Sequence, residues 1–221
     1  YSLIKNLSFF ISLFIDKDFK KVQSFHSKPI ACLGGTLIIL SILAYSIIFD
    51  NNIINIQFLI FVGIVNFFIG ILDDIKLVNN PIARFALIIF SNLFLILHYD
   101  FSINSFGVFF LDYLNQINFF KYLLVLFALF FIINGSNLVD GFNGLLAIHC
   151  LIILLILSYV LNEISQDLIH IKKYIYLLII SIICFLILNF PKAKIFLGDS
   201  GAYFLGSQIG IISIIIFNLS E

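Results

Sequence analysis

Acidic residues stand at three points of the chain where their type and position suit binding a cation beside phosphate groups. One pair, Asp73 and Asp74, ends an apolar segment, while Asp140 follows a second such segment and Asp199 precedes a third. Neighbouring helical residues diverge by about 100°, so we do not expect Asp73 and Asp74 to bind one ion directly. The pair can also simply mark the water boundary, although the partial negative charge of a helix C-terminus disfavours two carboxylates there.

Amide and acid side chains are concentrated in residues 134–144, which read N-G-S-N-L-V-D-G-F-N-G. Asn134, Asn137 and Asp140 are three residues apart, so they share one face of a helix. Their oxygen atoms suit Mg²⁺, a hard cation that accompanies substrate phosphates. Asn143 is placed to begin the next helix. The alternative interpretation is a helix–turn–helix corner in which Asn and Asp side chains cap the backbone.

A third polar segment, residues 196–201, reads F-L-G-D-S-G and lies at the predicted N-terminus of a helix. Asp199 and Ser200 can serve there as N-caps. Free N–H groups at such a terminus also attract phosphate oxygens. Lys192 and Lys194 precede the segment and add positive charge. With the other acidic residues, this segment predicts a metal-assisted phosphate site.

A fourth polar segment, residues 26–35, reads H-S-K-P-I-A-C-L-G-G and leads into an apolar run. Its His-Lys-Pro part, followed by Gly-Gly at the start of a helix, predicts a loop packed under the helix bundle. An ordinary connector between two helices is the alternative.

The elements that must position these four segments are membrane spans. Of the 221 residues, 62% are hydrophobic and 11% are charged, against about 25% charged in soluble domains. A bilayer core about 30 Å thick takes about 20 apolar residues per helix. The sequence predicts a partial span near residues 1–15 and full spans near residues 34–49, 53–72, 82–98, 119–137, 142–161, 172–190 and 203–219.

These spans predict an all-α polytopic membrane protein, with about eight transmembrane helices of a larger bundle, folded as one domain over residues 1–221. The chain begins with Tyr1, contains no Met and stops at Glu221 directly after an apolar run, so we expect truncation at both ends. Residues 99–118 are too polar to span and predict an external loop or an interfacial hairpin. A net charge of zero disfavours a nucleic-acid partner.

Lysine is concentrated in alternate loops, which indicates how the chain is oriented in the membrane. The lysine-rich loops, taken as a set, are cytoplasmic under the positive-inside rule. They comprise residues 16–33, 73–81 and 191–202, and the loop 137–142, which contains no Lys, falls on the same side by alternation of the spans. We therefore expect a multi-pass protein of the cell inner membrane whose acidic clusters face the cytoplasm.

Taken in order, the four polar segments resemble the motifs of the polyprenyl-phosphate N-acetylhexosamine-1-phosphate transferases, glycosyltransferase family 4. The matching patterns are H-x-K-P…G-G, L-D-D, N-x-x-N-x-x-D-G-x-[DN]-G and F-L-G-D-x-G, with Asn143 at a position where many bacterial members have Asp and other relatives carry Asn. The family includes undecaprenyl-phosphate N-acetylglucosamine-1-phosphate transferases and phospho-N-acetylmuramoyl-pentapeptide transferases. This chain departs from the usual first motif, P-x-P-R-x-G-G, because Ala31 and Cys32 replace the second Pro and the Arg.

The resemblance implies Mg²⁺ as cofactor, with Asp199 and Asn137 as its ligands. It also implies that Asp73 and Asp74 lie near the reacting phosphates, with Asp140 as the third candidate catalytic acid. A phosphate nucleophile is already largely ionised near neutral pH, since its second pKa is about 6. We therefore assign the aspartate pair to orientation or electrostatics, and a role as general base stays open.

The resemblance implies a substrate-binding set as well. Asn143 and Phe196 match residues that hold the uracil, by hydrogen bonding and stacking respectively. Arg84 matches a basic position that meets the pyrophosphate, and Lys76 is a second candidate for that contact. His26 belongs to the loop of the first motif.

The implied reaction is attack by a polyprenyl-phosphate oxygen on the β-phosphorus of a UDP-sugar, with release of UMP, in cell-envelope polysaccharide biosynthesis. The His26-x-Lys28-Pro29 form resembles the N-acetylglucosamine-type enzymes, and phospho-N-acetylmuramoyl-pentapeptide transfer is the alternative within the family. A cation-coupled transporter, whose pathway would use intramembrane carboxylates, and a non-catalytic scaffold are the alternatives outside it. The expected partners are a UDP-sugar, undecaprenyl phosphate or a related polyprenyl phosphate, and the membrane. The oligomeric state, a homodimer included, stays open.

Overall fold

The computed structural model describes residues 15–16, 30–49, 57–78, 80–164 and 168–220. Within them the chain forms eight helices and three very short strands. In chain order the helices are α1 (Gly34–Phe49), α2 (Gln57–Asp74), α3 (Pro81–His98), α4 (Phe109–Asn115), α5 (Asn118–Val139), α6 (Leu145–Ile164), α7 (Ile169–Asn189) and α8 (Gly198–Ser220). The strands are β1 (Ile15–Asp16), β2 (Ile30–Cys32) and β3 (Ile195–Phe196).

The predicted all-α class of a polytopic membrane protein is confirmed. By length and composition, the five helices α3, α5, α6, α7 and α8 can each cross a membrane. The apolar part of α1, Gly34–Tyr45, is shorter. The partial span predicted near residues 1–15 falls outside the described residues, apart from Ile15, which lies in β1.

Helix α8 lies at the centre of the bundle, in contact with α1, α2, α5 and α6. Its residues 201–212 are all buried. Ala202, Gly206 and Gly210 recur every four residues, and the two glycines face α5. Small residues let two helix backbones approach closely, which is a main source of helix association in lipid. Ser136 of α5 adds a hydrogen bond from its Oγ to the carbonyl oxygen of Ala202, at 2.8 Å.

Helix α2 approaches α8 just as closely at the end that carries Asp73 and Asp74. A Cβ atom added to Gly70 of α2 would overlap the backbone of Ser200 in α8. Glycine at this position therefore sets the distance between the two helices one turn before the aspartate pair. The close approach brings the end of α2 against the beginning of α8.

We predict that Gly70→Ala separates α2 from α8 and destabilises the protein, because the added methyl group has only backbone to displace. Overpacking of this kind costs about 1–3 kcal/mol. Thermal unfolding of the detergent-solubilised protein measures the effect. Gly135→Ala is the matched control, since a Cβ on this helical glycine of α5 meets nothing within 4 Å. Equal melting temperatures for the two variants would contradict the prediction.

Buried polar side chains fix three further helix contacts inside the bundle. Gln208 of α8 donates from Nε2 to the carbonyl oxygen of Leu59 in α2 at 3.0 Å. Its Oε1 accepts a hydrogen bond from the Tyr174 hydroxyl of α7 at 2.6 Å. Asn66 of α2 and Asn92 of α3 exchange side-chain hydrogen bonds at 3.1 Å. Unpaired polar groups are costly in lipid, so these bonds restrict how α2, α3 and α7 are placed.

A small three-stranded sheet joins two of the polar segments, and the sequence did not predict it. Strand β2 pairs in parallel with β3, which sets Ala31 opposite Ile195 and Cys32 opposite Phe196. Strand β1 pairs antiparallel with the other side of β2. Residues 30–32 therefore lie beside the beginning of the F-L-G-D-S-G segment, whereas the His-Lys-Pro part of this loop lies outside the described residues.

The polar segment 99–118 contains a short helix, α4, that the expectation of a loop or hairpin missed. Asp112 of α4 accepts a hydrogen bond at 2.6 Å from the backbone N–H of Phe106, just before the helix. Asn115 donates to the carbonyl oxygens of Ile103 and Asn104, both at 2.9 Å. These bonds fold the segment back on itself at the end of the bundle opposite to Asp73.

Candidate active site

Helix α2 ends immediately after the aspartate pair, in a turn that uses the backbone of the pair itself. The N–H of Lys76 bonds to the carbonyl oxygen of Asp73 at 2.8 Å, and the N–H of Leu77 bonds to that of Leu72 at 2.9 Å. This is the Schellman pattern, in which the residue after the helix adopts a left-handed conformation. Lys76 takes that place with φ of 58°, so its exposed side chain leaves the helix directly beside the pair.

Asp74, the last residue of α2, caps the N-terminus of the adjacent helix α8. Its Oδ1 accepts from the backbone N–H of Asp199 at 2.8 Å, and its Oδ2 accepts from that of Ser200 at 3.1 Å. Gly198 makes room for the carboxylate, since a Cβ there would lie 2.9 Å from Oδ2 of Asp74, and its φ of 81° also favours glycine. A carboxylate at a helix N-terminus is stabilised by the helix dipole.

This contact corrects two expectations about α8. The cap comes from Asp74 rather than from Asp199 or Ser200, and it allows α8 to begin at Gly198, five residues before the predicted span. The N–H groups of Asp199 and Ser200 are bonded to Asp74, so these two donors are not free for a phosphate as we expected. The reason is long-range: sequence spacing does not reveal which helix ends adjoin.

Asp73 faces different partners from its neighbour, as the angular spacing predicted. Its Oδ2 accepts a hydrogen bond from Nη1 of Arg84 at 2.6 Å and from the hydroxyl of Tyr203 at 3.3 Å. The side chains of Arg84 and Asp73 are 25% and 13% exposed, so the ion pair lies at the edge of the protein interior. The two carboxylates of the pair therefore have separate structural tasks.

The beginning of α3 places Arg84 in reach of Asp73. Asn80 caps the helix, accepting from the N–H of Ile82 at 2.9 Å, and Pro81 occupies the first turn, where its missing N–H costs nothing. Arg84 follows within that turn. Its Nε is buried without a hydrogen-bond partner among the described residues. The side chain as a whole is 25% exposed, so other atoms of it are accessible to a ligand.

Helix α5 brings its amides to the same place. The Nδ2 of Asn137 donates to Oδ1 of Asp199 at 2.6 Å, so the predicted pair of metal ligands is in direct contact. Asn134, one turn earlier, instead donates to the carbonyl oxygen of Phe130 in its own helix. Of the two amides on this face, only Asn137 therefore meets the F-L-G-D-S-G segment in the described contacts.

Asp140 stands immediately after α5 and completes an acidic cluster. Desolvation raises the pKa of Asp140 well above its ordinary value, and the nearby charges of Asp199 and Asp74 raise it further. Asp73 is also a charged neighbour of Asp199. Carboxylates that repel one another in this way are stabilised by a bound cation.

The two residues predicted to hold a uracil lie on neighbouring segments. Asn143 is exposed in the turn between α5 and α6, and its Nδ2 donates to the carbonyl oxygen of Pro191 at 3.2 Å. Pro191 begins the connection that leads into β3, where Phe196 is half-buried. The turn after α5 is thereby fixed to the segment that carries Phe196.

The structure thus gathers most of the predicted site residues at one end of the bundle. Those gathered around Asp199 are Asp73, Asp74, Asn137, Asp140 and Arg84. Lys76, Asn143 and Phe196 lie on adjoining turns and strands, and His26 lies outside the described residues. Sequence reasoning missed Tyr203, although its position four residues after Asp199, on the same face of a helix, was a usable signal.

The donors in this cluster fit Mg²⁺. Across the described ranges, no group of three or more His, Cys, Asp and Glu side chains is arranged to hold a metal. Mg²⁺ needs no such cage, since it usually keeps several waters and binds one or two carboxylates together with substrate phosphates. Asp199 offers a carboxylate, and Asn137, in contact with it, carries an amide oxygen.

A family model described as Glycosyl transferase family 4 matches residues 56–217 of the chain. The match covers all helices from α2 to α7 and nearly all of α8, and it includes the acidic cluster. It agrees with the resemblance that the four sequence motifs indicated.

Individual relatives carry names from the same chemistry. The phospho-N-acetylmuramoyl-pentapeptide-transferase of Dictyoglomus thermophilum is 27% identical over 190 residues, which are 83% of this chain and 58% of the relative. That of Streptococcus sanguinis is 29% identical over 218 residues, 90% of this chain and 63% of the relative. A Saccharolobus solfataricus protein, provisionally named UDP-N-acetylglucosamine–dolichyl-phosphate N-acetylglucosaminephosphotransferase, is 34% identical over 150 residues, 66% of this chain and 45% of the relative. The chain spans about half the length of the curated relatives it matches.

Proposed function

The chain belongs to glycosyl transferase family 4, and on that premise we propose that it transfers a sugar-1-phosphate from a UDP-sugar to a polyprenyl phosphate, releasing UMP. The observation that carries the proposal is the meeting of four helix ends at Asp199. Acidic side chains from α2 and from the end of α5, an amide of α5 and the arginine of α3 surround this carboxylate. Such a mixture of oxygen ligands and a guanidinium suits a pyrophosphate with its cation.

In the proposed reaction, an oxygen of the polyprenyl phosphate attacks the β-phosphorus of the UDP-sugar. A new bond forms between that oxygen and the β-phosphorus, and the bond from the β-phosphorus to the bridging oxygen breaks. UMP leaves with the bridging oxygen and the electron pair. Phosphoryl transfer depends mostly on positioning and charge neutralisation, so the site needs no strong general base.

Asp199 and Asn137 would hold Mg²⁺, and a bound Mg²⁺ supplies neutralisation of the charge on the pyrophosphate oxygens. Asp74 holds the backbone of Asp199 and Ser200 through its two carboxylate oxygens. It thereby fixes the beginning of α8 and the direction from which the Asp199 side chain reaches the substrate. Asp140 is a near neighbour of Asp199, so a cation held there would favour its ionised form and would in turn be attracted by that charge.

Arg84 is the proposed contact to the substrate phosphates. Asp73 takes Nη1 of the guanidinium, and the arginine side chain is 25% exposed. The planar guanidinium of an arginine can bind two phosphate oxygens side by side. Lys76, exposed on the turn after α2, is the proposed second cation, and His26 remains a candidate in the loop of the first motif.

The nucleoside is proposed to bind between the turn after α5 and strand β3. Asn143 would hydrogen-bond the uracil and Phe196 would stack on it. The bond from Asn143 to the carbonyl oxygen of Pro191 supports this placement, because it keeps the two segments adjacent. The proposed orientation has this end of the bundle at the cytoplasmic face of the inner membrane, where UDP-sugars are available.

The sugar is proposed to be an N-acetylhexosamine, within cell-envelope polysaccharide synthesis. The first-motif residues favour N-acetylglucosamine, whereas the names of two relatives favour phospho-N-acetylmuramoyl-pentapeptide. A cation-coupled transporter is disfavoured, because such sites lie near the bilayer midplane. Here Asp74 is the last residue of α2, Asp140 follows α5 and Asp199 lies in the first turn of α8.

An assay of the protein as the organism produces it, purified and reconstituted in lipid, tests the proposal. With undecaprenyl phosphate, Mg²⁺ and UDP-N-acetylglucosamine, we expect a lipid-linked sugar pyrophosphate, and we expect EDTA to abolish it. UDP-N-acetylmuramoyl-pentapeptide in place of UDP-N-acetylglucosamine distinguishes the two sugar choices. Absence of any lipid-linked product with both donors would reject the proposed function.

A further inference from the structure

Tyr203 reaches the acidic cluster from within the bundle, and no step of the proposed reaction uses it. Its side chain is 0% exposed in α8. Its hydroxyl donates to Oδ2 of Asp73 at 3.3 Å, and this same oxygen accepts from Nη1 of Arg84 at 2.6 Å. One carboxylate oxygen is therefore shared between a buried phenol and a partly exposed guanidinium.

Helix α8 thus holds the aspartate pair at two separate points. Its first turn contacts Asp74 through the N–H groups of Asp199 and Ser200. One turn further on, Tyr203 contacts Asp73 from the same face of the helix that carries Asp199. The end of α2 cannot shift along α8 without breaking one of these contacts.

The two contacts of Asp73 differ in how firmly their donors are held. Arg84 is 25% exposed at its side chain, and a long flexible side chain near water loses much of the benefit of an ion pair. Tyr203 has two rotatable side-chain bonds, and its ring is enclosed by the bundle. The phenol is therefore the more firmly placed of these two donors, although its bond is the longer one. It restrains the direction of Oδ2 of Asp73, which also contacts the side chain of Asp199.

We propose that Tyr203 is a positioning residue, whose hydroxyl fixes the Asp73 carboxylate and, through it, aims the Arg84 guanidinium at the substrate phosphate. This inference rests on the proposed function, because it needs a phosphate at Arg84. The bond from Nη1 of Arg84 to Oδ2 of Asp73 at 2.6 Å supports it. Because Asp73 holds one end of the guanidinium, a turn of that carboxylate would turn the rest of the group as well.

Tyr174 offers a matched comparison inside the same bundle. Its hydroxyl is also buried and donates to a side-chain oxygen, that of Gln208, at 2.6 Å. This bond joins α7 to α8 and touches none of the cluster residues. Removing either hydroxyl deletes one hydrogen bond between helices, from Tyr203 to α2 or from Tyr174 to α8. Only Tyr203 is connected to Arg84.

The test compares Tyr203→Phe with Tyr174→Phe in the natural protein, reconstituted with undecaprenyl phosphate, Mg²⁺ and the UDP-sugar that the wild type uses. Loss of a hydrogen bond to a charged group predicts a decrease of about 10-fold in kcat for Tyr203→Phe, with the KM for undecaprenyl phosphate unchanged. Tyr174→Phe should lower the melting temperature and leave kcat unchanged. In an Asp73→Asn background, Tyr203→Phe should cause little further loss, because both variants break the same connection.

Four outcomes overturn the inference. A wild-type kcat in Tyr203→Phe, with the wild type active, rejects the role of Tyr203 and leaves the proposed function standing. A decrease of equal size in both tyrosine variants, or full additivity with Asp73→Asn, indicates a general effect on packing and rejects it too. No transfer by the wild type with either UDP-sugar rejects the proposed function and the inference with it.

Discussion

Replacing Asp199 with Asn is expected to lower UMP release by about 10³-fold or more, because a catalytic metal contributes several kcal/mol of transition-state stabilisation. The amide keeps the size of the side chain but loses the negative charge that would hold Mg²⁺. The helix itself should survive the change. Asp74 bonds to the backbone N–H of residue 199 rather than to its side chain, so the cap of α8 stays in place.

Asp112→Asn provides the control for this prediction. Asp112 accepts a backbone hydrogen bond from Phe106 in the segment between α3 and α5, far from the cluster, and its replacement should leave UMP release near the wild-type rate. Steady-state release of UMP by both variants, with melting temperatures to confirm folding, decides the matter. Retention of wild-type activity by folded Asp199→Asn would contradict the role of this residue as a metal ligand.

Replacing Asp73 with Asn is expected to lower turnover by about 10²-fold, the effect that displacing a catalytic group by about 1 Å can have. The change removes the charge that Nη1 of Arg84 binds at 2.6 Å. It also weakens the acceptor of the Tyr203 hydroxyl. Arg84 then loses its fixed direction, while its own charge remains. Turnover measured at saturating UDP-sugar and polyprenyl phosphate reports the loss.

The chain offers a matched control for Asp73→Asn beyond the other end of α3. Asp100 accepts from Nζ of Lys121 at 3.1 Å and from the hydroxyl of Tyr122 at 2.6 Å. It follows a helix of 18 residues, so it lies about 27 Å along the axis from the beginning of α3. Asp100→Asn breaks the same kind of pairing and should keep the wild-type turnover. Comparable losses in both variants would mean that the effect of Asp73 is only structural.

The meeting of the acidic segments at one end of the bundle could be predicted from the sequence. Asp73, Asp140 and Asp199 each adjoin an apolar segment of membrane-spanning length, and alternation of the spans puts their ends on one side. The separate directions of Asp73 and Asp74 were also predictable, because the angle between successive helical residues is fixed. The first prediction depends on the number and alternation of the spans, and the second on helix geometry alone.

The partners within the cluster could not be predicted in the same way. Asp74 caps α8, 125 positions further along the chain, and only the packing of α2 on α8 reveals that contact. That packing depends on the absence of a side chain at Gly70. A glycine in a sequence does not show which helix will pack against it. Strands β2 and β3 have three and two residues, too few for an alternating pattern to appear.

The spacing of Tyr203 marks it as a candidate site residue, but the many aromatic residues of the chain made it inconspicuous. Among 28 Phe and 9 Tyr residues, one more aromatic side chain in an apolar helix suggests lipid contact or core packing. Its spacing from Asp199 was the useful information, since residues four apart lie on one face of a helix. Its acceptor, Asp73, lies on another helix, so the pairing itself required the fold.

The bond that breaks in the UDP-sugar tests the central claim most directly. The natural protein would be supplied with undecaprenyl phosphate, Mg²⁺ and a UDP-sugar carrying radioactive phosphorus at the β position, and the lipid and nucleotide products would be separated. We predict that the label enters the lipid and that unlabelled UMP is released in equal amount. Label that stays in UDP while the sugar alone reaches the lipid would contradict the account, because the β-phosphorus would not have been attacked.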